Sequence, residues 1–165
     1  MADVRESLAV VAPADTVYAL VADLPRMGEW SPECERVIWR GGATSAAPRA
    51  RFLGFNRAGL ARWVTQGEVV TAEPGRHLAF EITFGPMKIA RWEYFIVPDD
   101  ADPSICVVVE EWTDRRPSWF RDLADRVFGP RAMTNERGMV KTLANLKRAA
   151  EAEGATARPH GHLGP

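Results

Sequence analysis

The chain predicts an α+β fold in which an antiparallel sheet of about seven strands packs against one long C-terminal helix. Two changes of period carry this. From Glu33 to Pro117 apolar residues alternate every two positions, in short segments parted by Gly, Pro and Asp, the pattern of hairpins with one face turned to a core. From Pro117 to Ala152 the spacing becomes three to four. Trp119, Phe120, Leu123, Val127 and Phe128 recur before Gly129-Pro130, and Met139, Leu143, Leu146 and Ala150 after it. Each half is expected to bury one stripe, with a break between them. A buried large apolar side chain contributes roughly 1.5–3 kcal/mol, which outweighs the roughly 1 kcal/mol that Gly138 costs inside a helix.

The elements follow in order. Val4 to Val11 alternates loosely and ends at Ala12-Pro13, a first strand. Pro13 suits a first helical turn, Asp15 complements the N-terminal dipole, and Val17, Leu20 and Val21 make an apolar face, so a short helix runs to Ala22. Arg26 to Trp30 adds a second short helical turn before Ser31-Pro32 forces extended backbone. In the strand region Phe52, Gly54 and Asn56 share one face, as do Trp63, Thr65 and Val69. Leu78, Phe80, Ile82 and Phe84 alternate most clearly of all, followed by Ala90, Trp92, Tyr94 and Ile96. Ile105 to Thr113 is the last strand. It is apolar on both faces, which leaves the register of Glu110 and Glu111 open.

Composition narrows the function. With 21 Lys plus Arg against 22 Asp plus Glu in 165 residues, no global field recruits nucleic acid or an anionic membrane. No run approaches the roughly 20 apolar residues of a membrane span, and the N-terminus lacks the order of a signal peptide. Cys34 and Cys106 lie far apart in different predicted elements, as reduced thiols in the cytoplasm do. A cytoplasmic protein is expected, with one domain over residues 1–153 and a disordered Gly/Pro/Ala/His tail over 154–165. His77 falls on the polar face of its strand, and His160 and His162 fall in the tail, so no metal is expected. There is no nucleotide-binding glycine loop, Ser-His-Asp order or paired-Cys spacing, and no cofactor is expected.

Local phrases sharpen the fold. Trp30-Ser31-Pro32-Glu33, Arg51-Phe52-Leu53-Gly54-Phe55-Asn56-Arg57, Glu73-Pro74-Gly75-Arg76, Trp92-Glu93-Tyr94 and Leu143-Ala144-Asn145-Leu146-Lys147 resemble the START and Bet v 1-like (SRPBCC) superfamily. Within it they are most similar to bacterial polyketide cyclase/dehydrase and lipid-transport-like members, over about Val4 to Ala152. The resemblance implies a helix-grip fold, a curved sheet wrapped around the long helix with a ligand cavity between them. Members bind lipids, sterols or hormones, or cyclise polyketides, and fold alone does not choose among these.

Polar groups on inward faces are where a site would show. Asn56 sits with Phe52, Tyr94 with Trp92, and Glu110 with Cys106, Val108 and Trp112. Such groups either pair with one another, with backbone or with an arginine such as Arg91 or Arg137, or they orient a ligand in an apolar pocket. Gly129-Pro130 is either a plain kink or a hinge at the cavity mouth. The leading expectation is a binding or carrier protein for a small hydrophobic ligand: a lipid, a fatty acid or a polyketide-like aromatic. Its lining would be Phe52, Asn56, Trp63, Phe80, Trp92, Tyr94, Glu110 and Met133, in a monomer or homodimer. An aromatase/cyclase-like or dehydratase-like enzyme is the alternative, with Tyr94, Glu110 or Arg91 moving protons. A protein-interaction or regulatory module with a vestigial cavity is a third.

Overall fold

A computed structural model describes residues 1–156, apart from the side chains of Val127 and Phe128. Strand β1 (Val4–Val10) leads into helix α1 (Ala14–Ala22) and a 3-10 helix (Leu24–Glu29). Six strands follow: β2 (Cys34–Arg40), β3 (Arg51–Ala58), β4 (Ala61–Glu73), β5 (His77–Phe84), β6 (Met87–Pro98) and β7 (Cys106–Asp114). Two helices, α2 (Ser118–Phe128) and α3 (Arg131–Thr156), end the described chain. The sheet order is β1-β7-β6-β5-β4-β3-β2, and every pairing is antiparallel. This is the α+β helix-grip arrangement.

The period-two pattern explains which face is buried. Val37, Phe52, Val69, Leu78, Phe80, Tyr94, Ile96 and Val108 all point inward and join one core with Val17, Leu20 and Val21 of α1 and Leu143, Leu146 and Ala150 of α3. Register shifts at Cys34/Arg36, Val69/Thr71 and Ile82/Thr83 interrupt the ladders, and such bulges bend a sheet around what it covers. One shift corrects a sequence expectation. Past Ile82/Thr83 the strand no longer keeps its phase, and Phe84 is 61% exposed rather than sharing the core with Phe80.

The C-terminal stretch divides where Gly129-Pro130 predicts. Gly129 adopts φ 81° and ψ 167°, backbone that only glycine occupies readily, so the chain turns between α2 and α3. The α3 stripe is buried as expected, with Met139, Leu143, Leu146 and Ala150 against the sheet and α1. The α2 stripe is not. Trp119 is 67% and Leu123 58% exposed, because α1 and α3 already cover the sheet and leave α2 at its margin. The helix continues to Thr156, into the segment expected as tail. The rest of that segment, with His160 and His162, lies outside the described residues.

Candidate functional site

Strand register brings the inward polar groups together at the β1, β7 and β6 side of the sheet. Glu110 on β7 lies opposite Tyr94 on β6 and opposite Glu6 on β1, which settles the phase of a run that is apolar on both sides. The Tyr94 hydroxyl donates a 2.8 Å hydrogen bond to Glu110 Oε1. Glu110 is only 2% exposed, and its other oxygen, Oε2, has no hydrogen-bond partner among the described residues.

Electrostatics follow from that burial. Removal from water disfavours the charged carboxylate and Glu6 adds a like charge, while the Tyr94 hydrogen bond pulls the other way. The net result pushes Glu110 up to about 8 from the usual 4.5. Burial first, then the neighbouring Glu110, raises the Tyr94 phenol well above its ordinary range, and Cys34 lies close enough to add to this. Burial likewise pushes the Cys34 thiol up to about 11, so it is a neutral thiol rather than a nucleophile. The arrangement is a neutral acid and a neutral phenol in an apolar wall. It can donate or accept hydrogen bonds, and the carboxyl can exchange a proton near neutrality.

The other expected lining residues separate. Phe80 packs edge-on against Phe52 at 5.6 Å between ring centres, and Trp92 lies 6.5 Å from Trp112. These aromatics continue the inward face beside Tyr94. Asn56 is occupied: its amide donates to Gly54 O and to Thr65 Oγ1, each at 3.2 Å, which is the pairing alternative realised. Trp63 faces Asn56 across β3 and β4 and is half-buried. Met133 stands in the first turn of α3 and is 54% exposed. Arg91 lies in odd phase with Tyr94, so it projects from the opposite face, where its guanidinium binds Glu93 at 2.9 Å.

Sequence reasoning missed three buried groups. Asn135 Nδ2 on α3, Trp30 Nε1 after the 3-10 helix and Glu33 Oε1 before β2 are all enclosed and lack a hydrogen-bond partner among the described residues. Asn135 keeps helical phase with Met139, Thr142 and Leu146, and that spacing is the signal that places it on the buried stripe. Among the described residues, no group of three or more His, Cys, Asp and Glu side chains is placed to hold a metal ion.

A concavity of about 690 Å³ lies elsewhere, on the outer face, lined by Arg40, Arg51, Gln66, Glu68, Glu81 and Lys88 among others. It is open, and four of its charged side chains form two ion pairs. Arg51 pairs with Glu68 at 3.1 Å and Lys88 with Glu81 at 2.6 Å. Its ion pairs leave no enclosed, unsatisfied group to recognise a ligand, unlike Glu110.

The family model for polyketide cyclase / dehydrase and lipid transport proteins matches residues 1–151. The chain belongs to that family. Among solved structures, this family member is similar to the polyketide-cyclase-like protein Cgl2372 from Corynebacterium glutamicum, at 30% identity over 95% of this chain and 96% of that one, with a TM-score of 0.57. A protein from Thermobifida fusca shares 23% identity over 96% of this chain and 97% of that one, with a TM-score of 0.62. The di-domain aromatase/cyclase StfQ of the steffimycin biosynthetic pathway shares 14% identity over 91% of this chain and 45% of that one, with a TM-score of 0.64, a likeness of fold. The family member thus spans about half of the di-domain protein. No curated protein matches it. Among its described residues, no helix is long and apolar enough to cross a membrane.

Proposed function

We propose that the protein binds a small hydrophobic molecule between the inner face of the sheet and α3, with Tyr94 and Glu110 as the polar pole and Phe80 and Trp92 as apolar wall. The carrying observation is Glu110 Oε2, enclosed and without a hydrogen-bond partner among the described residues. A buried carboxyl oxygen left bare is unfavourable by about 1–3 kcal/mol, and a ligand atom that satisfies it recovers that energy on binding. Family membership supports the same reading. Native mass spectrometry of the purified protein, with solvent extraction of released molecules, tests it. An apolar molecule is expected in the extract, and Trp92→Ala and Phe80→Ala are expected to weaken its rebinding. Unchanged affinity in both variants would place the site elsewhere.

A second reading has its own observation. Glu110 titrates at about 8, where a carboxyl can both give and take a proton at physiological pH. This favours an enzyme acting at the acidic carbons of a poly-ketone chain, with Tyr94 and Glu110 exchanging protons. Incubation with a reactive poly-β-ketone mimic distinguishes the two: a carrier leaves the spontaneous product distribution unchanged, whereas a cyclase or dehydratase alters it and loses the effect in Glu110→Gln.

A further inference from the structure

The charge around the Tyr94 and Glu110 pole limits what can sit there, and the limit follows from strand phase. Glu6 and Glu110 face each other from neighbouring strands on the inward face, a pairing of like groups that disfavours a charge on the buried Glu110. The nearby arginines point away: Arg5, one residue from Glu6, pairs with Glu111 on the outer face, and Arg91 pairs with Glu93 there. From the other elements, β6 presents Tyr94, β2 presents the Cys34 thiol beside it, and the buried face of α3 is Asn135, Met139, Thr142, Leu143, Leu146 and Ala150, with no ionisable side chain. Among the described residues, the acidic pole therefore has no cation facing it.

A carboxylate ligand seated here would place a further negative charge beside two acidic residues in an apolar enclosure. No basic side chain facing the site from the neighbouring elements would compensate it. A ketone or an alcohol meets the pole differently. Glu110 already accepts from Tyr94 on Oε1, so its free oxygen can donate its proton to a carbonyl, or exchange hydrogen bonds with a hydroxyl. An ammonium would have to shed its water among Leu78, Ile96 and Val108, and it would gain an ion pair only after the Glu110 carboxyl had released its own proton to solvent.

We propose that this site, granted the hydrophobic-ligand reading above, selects molecules whose polar group is an uncharged carbonyl or hydroxyl and rejects carboxylates of the same shape. Free fatty acids are then not its ligands, and neutral ketones, phenols and alcohols are.

Isosteric probes test this without altering the protein: 2-acetylnaphthalene against 2-naphthoate, and 2-undecanone against decanoate, with binding followed by tryptophan fluorescence and calorimetry. The ketones are expected to bind at least about tenfold more tightly than the carboxylates near pH 7, the factor that one proton-affinity unit of mismatch produces. Ketone binding to the natural protein should weaken by about tenfold near pH 9, as Glu110 loses the proton it donates. Glu110→Gln, whose amide still donates, should keep it at that pH. Carboxylates that bind as tightly as their ketones overturn the selectivity and leave the hydrophobic site standing, as would matching amines that bind more tightly than the ketones, pointing to cationic ligands. If no probe binds, the hydrophobic-ligand reading itself falls and the selectivity falls with it.

Discussion

Glu110 and Tyr94 hold one another inside the protein, and this couples protonation to folding. In the unfolded chain the Glu110 carboxyl titrates at the ordinary 4.5, and in the folded protein at about 8. The native state therefore holds the proton more firmly. The associated stabilisation is fully present below the unfolded value and is lost as pH rises through the folded one, with an upper bound of about 3–5 kcal/mol. Urea unfolding should show stability falling across that window, and Glu110→Gln should flatten the slope. Glu93, held low by its hydrogen bond to Arg91, and Glu151, held low by Lys147, act in a different window: their contribution is lost on acidification below the ordinary carboxylate range. Tyr94→Phe strips Glu110 Oε1 of its partner and should cost about 1–3 kcal/mol near neutral pH. It should also move the pH-dependent loss upward, because the Tyr94 hydrogen bond is what draws the carboxyl down. A Tyr94→Phe profile superimposable on the natural one would refute the coupling.

Two glycines show how differently elements respond to the same substitution. A Cβ at Gly67 of β4 would lie 2.1 Å from Cζ of Phe52, whose ring rests on that backbone between Trp39 and Phe80. Gly67→Ala should therefore cost about 1–3 kcal/mol as overpacking, and Phe52→Leu in the same chain should recover part of it. Gly129 meets no neighbouring atom, and its strain is one of backbone alone. With α2 able to reorient at the margin, Gly129→Ala should cost about 1 kcal/mol, at the bottom of the range for a residue forced into such a conformation. Thermal or urea unfolding of both variants checks the contrast. Much of the element layout was legible in the sequence, because Leu78 and Phe80, Trp92 and Tyr94, and Leu143 and Leu146 each keep the period of their element. Phe84 was not legible, since a bulge is a property of two paired strands and not of one. Nor was the phase of Glu110, whose neighbours Val108 and Val109 are both buried and carry no alternation. Trp119 and Leu123 have helical spacing, but spacing cannot say whether a partner surface remains free.

Across the whole molecule, protection should follow packing. The central strands β5, β6 and β7 and the second half of α3 share the core that includes Leu78, Tyr94, Ile96, Val108 and Leu146, while α2 keeps Trp119 and Leu123 in water. Hydrogen exchange followed by mass spectrometry should find α2 exchanging first and those strands last. Protection of α2 equal to that of α3 would contradict its marginal position. The sheet order has a further effect on the way the chain comes into being. Six of the seven strands pair with neighbours in sequence, but β1 waits: Val4 lies opposite Trp112, roughly a hundred residues away. Lys147 and Glu151 of α3 then fasten the same strand at Ala9 O and Val11 N. Strand β1 thus leaves the ribosome before every strand it could join, and is among the last to find its place. Until β7 and α3 have emerged, Leu8 and Val10 stay uncovered, so a nascent chain stopped short of β7 should engage chaperones that the finished protein does not need.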